Sequence, residues 1–285
     1  MINYNPKVWF PFIFRFTKAD TFIKLMPLML VVVAYSAIIA YLEIDVFLLD
    51  KSSHLSNLGL MHSVLGFVIS LLLVFRTNTA YDRWWEGRKL WGALTNNSRN
   101  FAIKLHALLS DDKDKKFFRV MIANYAFALK NHLRENQNFI DLDPELDLKK
   151  EHHVPNQIAA RMFDRLNLLQ KEGRLSSEQL LLINEEFRSF TDICGACERI
   201  KNTPIPFTYS VYIKKFIVLY VATLPFGWTF SLGYYIIPVV IFILYAFASL
   251  ELIAEEIENP FGTDPNDLPL DQLCQNIKKH VAEII

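Results

Sequence analysis

The chain has 285 residues, with 30 basic and 30 acidic side chains and therefore no formal net charge. Its hydrophobic share of 52% and its 23 phenylalanines exceed soluble usage and favour a membrane class. Balanced charge without a basic recognition motif argues against nucleic-acid partners, and three cysteines do not form a secreted disulfide framework.

MINYNPKVWFPFIFRFTKAD has aromatics broken by Pro6 and Pro11 and no small-residue cleavage site, so residues 1–24 are expected to be an N-terminal cytosolic segment, not a signal peptide. LMPLMLVVVAYSAIIAYL, residues 25–42, carries no charge and spans ~27 Å as a helix, enough to cross a bilayer core. Glu43, Asp45, Asp50, Lys51 and His54 make a mainly acidic loop before a second apolar run at roughly 58–75, whose one ionisable group is His62.

On a wheel of about 100° per residue, Gly59, Ser63, Gly66, Ser70 and Thr77 of this second run share one stripe. Small residues let membrane helices approach closely, so the stripe fits helix packing. It fits equally a water-facing pore wall bordered by Phe67 and Leu71, because apolar constrictions gate by dewetting. One helix cannot enclose a pore, so this second reading requires a ring of subunits.

Residues 76–213 are polar and helical in pattern. Apolar positions recur at three- and four-residue spacing over 88–109, 117–133 and 158–170. After the breaker Gly173, Ser176, Ser177 and Glu178 open a further helix. Residues 142–157 are the clearest loop; His152 and His153 sit there, where adjacent histidines are usually just solvated. CGAC, residues 194–197, has no second pair beyond the single Cys274 and lies mid-helix, so two buried thiols fit better than a redox or zinc motif. No GxSxG, HExxH or phosphate loop is present, and no nucleophile–base pair supports an enzyme.

FIVLYVATLPFGWTFSLG, near 216–233, is expected to be interrupted at Pro225 and Gly227 and to pair as a hairpin with YYIIPVVIFILYAFASL, 234–250. Lys7, Arg15, Lys18 and Lys24 precede the first span, Arg76, Arg83, Arg88 and Lys89 follow the second, and Lys214 and Lys215 precede the third. The positive-inside rule then places both termini and the middle section in the cytoplasm. The expected fold is an all-α integral membrane protein with two hairpins, 25–75 and 214–252, a cytosolic helical domain at 76–213 and a cytosolic C-terminal segment at 253–285. In that last segment Asp264, Asn266 and Asp267, with Glu256 and Asn259 nearby, offer oxygens of the type calcium needs. A polar turn built on Asx chemistry fits the same residues.

VLGF (64–67), RTNTAYDRWWEGRKLWG (76–92), IPFTY (205–209) and ENPFGTDPND (258–267) resemble, in this order, the bestrophin family and its bacterial members. The resemblance implies a homopentameric ion channel in the cell membrane, with a cytosolic helical part around one axial pore and a narrow neck lined by the second span. Carried over, the neck positions are Ser63, Phe67 and Leu71, or Gly59, Ser63 and Phe67 after a slip of one turn, with Ser70 offering a further hydroxyl. A second aperture would fall near Leu175. Of the calcium clasp of animal members, Asp264 and Asp267 match the ends, while Pro265 and Asn266 replace acidic residues, so no cofactor is required and calcium control is in question. The second helix would continue into the cytosolic body, with Trp84 and Trp85 wedging the junction and Asp82 pairing with Arg83. The implied partners are the lipid bilayer, small inorganic ions and further copies of the chain. Chloride conduction follows from the animal relatives and cation conduction from some bacterial ones. A secondary transporter or a membrane-anchored sensor remains the alternative; a transporter would show broken helices in both halves, whereas Pro225, Gly227 and Pro238 lie only in the second hairpin.

Overall fold

The structure is a computed structural model that describes residues 21–49, 58–135, 142–143, 148–149 and 151–285. The basic residues Lys7, Arg15 and Lys18 and the loop residues Asp50, Lys51 and His54 lie outside the described residues. Among the described residues there are eight α-helices and no strand: α1 (Thr21–Tyr41), α2 (Leu58–Leu108), α3 (Asp112–Leu133), α4 (Val154–Lys171), α5 (Ser177–Asn202), α6 (Phe207–Leu232), α7 (Ile236–Glu258) and α8 (Leu270–Ile284). They form two compact units. Of the described residues, a membrane unit holds those from Thr21 to Asp82 together with Pro204–Glu258, and a helical body holds those of Arg83–Thr203 with Asn259–Ile285. The unit boundaries after Asp82 and after Thr203 lie within the expected cytosolic stretch 76–213, and Asn259–Ile285 of the C-terminal segment belongs to the helical body. The first boundary falls inside α2, a 51-residue helix of ~77 Å shared by both units.

In the membrane unit, the helices over Thr21–Val46, Leu58–Leu108 and Phe207–Glu258 are long and apolar enough to cross a membrane. The third stretch folds back on itself at Gly233–Tyr235. Lys214 on α6 meets Glu255 on α7 at 2.9 Å and Tyr220 meets Phe247 at 5.8 Å, so the two helices run antiparallel. The interruption expected at Pro225 and Gly227 does not occur, because α6 passes both unbroken. Proline removes one backbone hydrogen bond, which membrane helices tolerate when neighbours supply others. Close to the Val221 carbonyl that Pro225 leaves without its donor, the Tyr35 hydroxyl donates to the Ala222 carbonyl at 2.9 Å and the Thr229 hydroxyl to the Pro225 carbonyl at 2.6 Å.

The core of this unit is aliphatic: Ile69 and Leu73 of α2 pack among Ile213, Ile217, Val221, Leu224, Val240 and Leu244. At one end of that core Arg76 is buried between two carboxylates. Its Nη2 lies 2.7 Å from Glu258 and its Nε 3.5 Å from Glu251. The other oxygen of Glu258 accepts the Ile205 backbone N–H at 2.7 Å, tying the start of α6 into the same cluster.

The helical body is built on local signals that the side chains satisfy. Asp111 caps α3 by accepting the Lys113 N–H at 2.9 Å. Ser176 and Gln179 form a reciprocal capping box at the start of α5. Phe101, Phe190 and Tyr125 pack edge-on at 4.9 to 5.7 Å, and the Tyr125 hydroxyl donates to the Phe190 carbonyl at 2.7 Å. Asp114, fully buried, accepts from both Arg165 and Arg174, joining α3, α4 and the turn that follows α4. On α8, Asp271 accepts from Lys130 and Arg134, each at 2.8 Å. Burial would raise the Asp271 carboxyl, but these two cations hold it below the usual carboxylate range.

Removing one partner from a buried ion cluster leaves charge without compensation. Arg76→Gln is expected to destabilise the membrane unit by about 3–5 kcal/mol, seen as a lower thermal midpoint of the detergent-solubilised protein. Arg76→Lys should recover part of this loss, because a single ammonium does not reproduce the guanidinium fork.

Candidate functional site

The rotation of α2 about its own axis decides what its second-span stretch can do. His62, Ile69, Leu73 and Arg76 are buried, and with Ala80 they mark one continuous inner face. His62 is fixed by a contact of 3.0 Å between its Nε2 and the Thr223 hydroxyl of α6. Its ring meets Tyr220 edge-on at 5.6 Å.

The small-residue stripe straddles the border of that face and divides. A methyl built on Gly66 would stand 2.7 Å from the Tyr220 hydroxyl, and one built on Gly59 would meet the Trp228 indole at 3.8 Å. Gly66 therefore serves close helix approach, while a methyl at Gly59 would make ordinary contact with the indole. Ser63 and Ser70, by contrast, are exposed, and their hydroxyls donate to the carbonyls of Gly59 and Gly66 at 3.1 and 2.8 Å. Thr77 does the same with Leu73 at 2.8 Å. Beside the serines, Phe67 is 69% exposed and Leu71 46%. The exposed edge of α2 thus joins Ser63, Phe67, Ser70 and Leu71, while Gly59 belongs mainly to the packed side. His62 is the sole ionisable group from Leu58 to Phe75 and it is buried, so no ring of fixed charge lies on this edge.

Leu175 does not fit the aperture assigned to it. It is 2% exposed and part of the core of the helical body, where its N–H donates to the Leu169 carbonyl in the turn after α4. A residue lining an aperture must face water.

The calcium candidates adopt the arrangement of a closed turn. Asp267 is buried, and its Oδ2 accepts the Asp264 N–H at 2.6 Å, while the Asp267 N–H donates to the Asp264 carbonyl at 3.0 Å. That same Oδ2 would lie 2.7 Å from a methyl on Gly262, so a larger residue cannot stand there without displacing the carboxylate. Asn259 turns its carbonyl oxygen to the Phe261 N–H at 3.5 Å, and Glu256 pairs with Lys24 in the membrane unit. The Trp84 indole donates to the Asn266 carbonyl at 3.0 Å, and Trp84 stacks on Trp85 at 6.5 Å. Arg83, expected to pair with Asp82, turns its guanidinium to the Thr203 carbonyl at 2.6 Å and to the Ile200 carbonyl, capping the end of α5.

Cys194 and Cys197 are buried free thiols in mid-α5. Burial first, and then Glu198, pushes the Cys194 thiol up to about 12, so it stays protonated. His153 departs from the solvated-loop expectation. Its Nδ1 caps α4 by accepting the Asn156 N–H at 3.1 Å, and its Nε2 lies 2.6 Å from Glu198 Oε1. His132, at the end of α3, places its Nε2 2.6 Å from the same oxygen. Burial would raise the Glu198 carboxyl, but the two imidazoles hold it below the usual range. No sequence spacing marks this trio, which only the helix packing assembles.

These features define a polytopic helical membrane protein in which an uncharged edge of α2 is available to water or to other chains. The model of the Bacterial/Fungal Bestrophin protein family matches residues 1–283. The chain belongs to this family. It is similar to a voltage-dependent anion channel-forming protein of Nostoc sp., 40% identical over 230 residues, covering 77% of this chain and 75% of that relative. A protein of the same description from Synechocystis sp. is 33% identical over 294 residues, covering 99% of this chain and 93% of the relative. The crystal structure of a point variant of a bacterial Bestrophin homolog from Klebsiella pneumoniae matches with a TM-score of 0.80 at 27% identity, covering 92% of this chain and 98% of that one.

Overpacking a tight helix contact costs about 1–3 kcal/mol. Gly66→Ala is expected to destabilise by that amount in thermal unfolding, whereas Ser70→Ala should stay within about 0.5 kcal/mol. Because the clash is with the Tyr220 hydroxyl, adding Tyr220→Phe should recover part of the Gly66→Ala loss, measured as a double-mutant cycle.

Proposed function

We propose that the protein is a bestrophin-type channel that passes small inorganic anions down their gradient through an axial pore enclosed by five copies of the chain. The observation that carries this reading is the exposed edge of α2, where Ser63, Phe67, Ser70 and Leu71 line one side of a membrane-length helix whose opposite side is locked into the subunit. In a ring, that edge makes a neck in which Phe67 is the dehydrating constriction and the serine oxygens contact hydrated ions. Anion preference is supported by the description of the relatives as anion channel-forming proteins. Conduction calls for no nucleophile and no bound cofactor, and the turn around Asp264 and Asp267 serves structure in this reading. Both termini and the helical body lie in the cytoplasm by the distribution of basic residues. A secondary transporter is disfavoured because α6 runs unbroken through Pro225 and Gly227.

Reconstitution into planar bilayers under a sodium chloride gradient tests the proposal. The reversal potential should lie near the chloride equilibrium value. Phe67→Ala should raise conductance on the order of tenfold, equivalent to about 1.4 kcal/mol off the permeation barrier. A reversal potential at the sodium value would reassign the channel to cations, and no current from well-folded protein would remove the channel reading.

A further inference from the structure

We propose that His132, His153 and Glu198 form a binding site for a divalent transition-metal ion of the zinc type, on the helical body and independent of the pore. The three side chains come from the end of α3, the cap of α4 and the last turns of α5. One ligand atom from each lies within 4.8 Å of the others, and the two imidazole rings are 4.3 Å apart, centre to centre. Two imidazole nitrogens and one carboxylate oxygen are a donor set that zinc takes readily, with water completing four-coordination. Ligand bonds of about 2.0–2.1 Å in a tetrahedral site place donor atoms about 3.3 Å apart. Both histidine Nε2 atoms now stand 2.6 Å from Glu198 Oε1, so each histidine–glutamate separation needs to open by less than an ångström. All three side chains are partly exposed, which lets a hydrated ion in. Glu198 also lines a groove of about 500 Å³ between α4 and α5, together with Ala160, Phe163, Phe187 and Gly195. Cys194 and Cys197 lie on the same helix but do not join the converging atoms.

The hydrogen bonds of the trio add a specific consequence. His153 Nδ1 accepts the Asn156 N–H, so in this arrangement its Nε2 carries the proton that faces Glu198. A metal on Nε2 takes the lone pair there and moves the ring proton to Nδ1, which ends the cap on α4. Metal binding is thereby coupled to the first turn of α4. It exchanges one hydrogen-bonded clasp between three helices for a stiffer, coordinated one.

The full-length protein in detergent, stripped with a chelator, would be titrated with zinc chloride by calorimetry and checked for bound metal by elemental analysis. One zinc per chain is expected, with X-ray absorption showing two imidazoles among nitrogen and oxygen ligands and no sulfur. Glu198→Gln, His132→Gln and His153→Asn should each weaken binding by about 100-fold or more. His153→Asn is the decisive variant, because asparagine preserves the helix cap while removing the imidazole. His152→Asn, on the exposed neighbour, should bind as the wild type does. Absence of zinc binding in the wild type, or unchanged affinity in both His153→Asn and Glu198→Gln, would overturn the site.

Discussion

The packing of one side of α2 against α6 is the constraint on which the rest of the membrane unit depends. His62 reaches Thr223, Gly66 admits the Tyr220 hydroxyl, and Ile69 and Leu73 fill the aliphatic core. A helix has one rotational degree of freedom about its axis, and these contacts remove it. Once they are made, Phe67 has no choice but to face outward with Ser63 and Ser70. An ionisable group inside a membrane span is costly unless it is partnered. His62 repays that cost by tying the wall to its support, one residue from the edge assigned to the pore.

The same economy of polar groups holds elsewhere in the membrane unit. Pro225 leaves α6 short of a backbone bond, and hydroxyls from Tyr35 and Thr229 engage carbonyls around it. Arg76 would be prohibitive alone in an apolar core; between Glu251 and Glu258 it becomes a fastening point for α2, α7 and the start of α6. In the helical body, carboxylates play the matching part, with Asp114 and Asp271 each gathering two basic side chains from other parts of the chain. Glu198 does so with two histidines, and that difference in partner chemistry turns a clasp into a metal-ligating arrangement.

Much of the fold was legible in the residues because its signals are local. Apolar runs of membrane length, three- and four-residue spacing, and the Ser176 cap depend on neighbours along the chain, and the helices stand close to where those signals put them. The site was only half legible. A helical wheel groups Gly59, Ser63, Gly66 and Ser70 by angle but does not say which angle meets a neighbour. Trp228 and Tyr220, more than 150 positions away, make that decision, and they take the glycines while leaving the serines. Leu175 stands two residues after Gly173 in a polar stretch, where nothing nearby betrays its place in a core. His132, His153 and Glu198 are far apart in the chain and match no motif, since helix packing alone brings them together.

The central claim is that the exposed edge of α2 borders water within an assembled ring. Its most direct test is the reactivity of single cysteines introduced at Ser63, Phe67 and Ser70 toward charged, membrane-impermeant thiol reagents during ion flux. The account predicts modification at all three, with flux altered most at Phe67. Protection of all three from both sides of the membrane would contradict it, because an edge sealed in lipid or protein cannot carry ions.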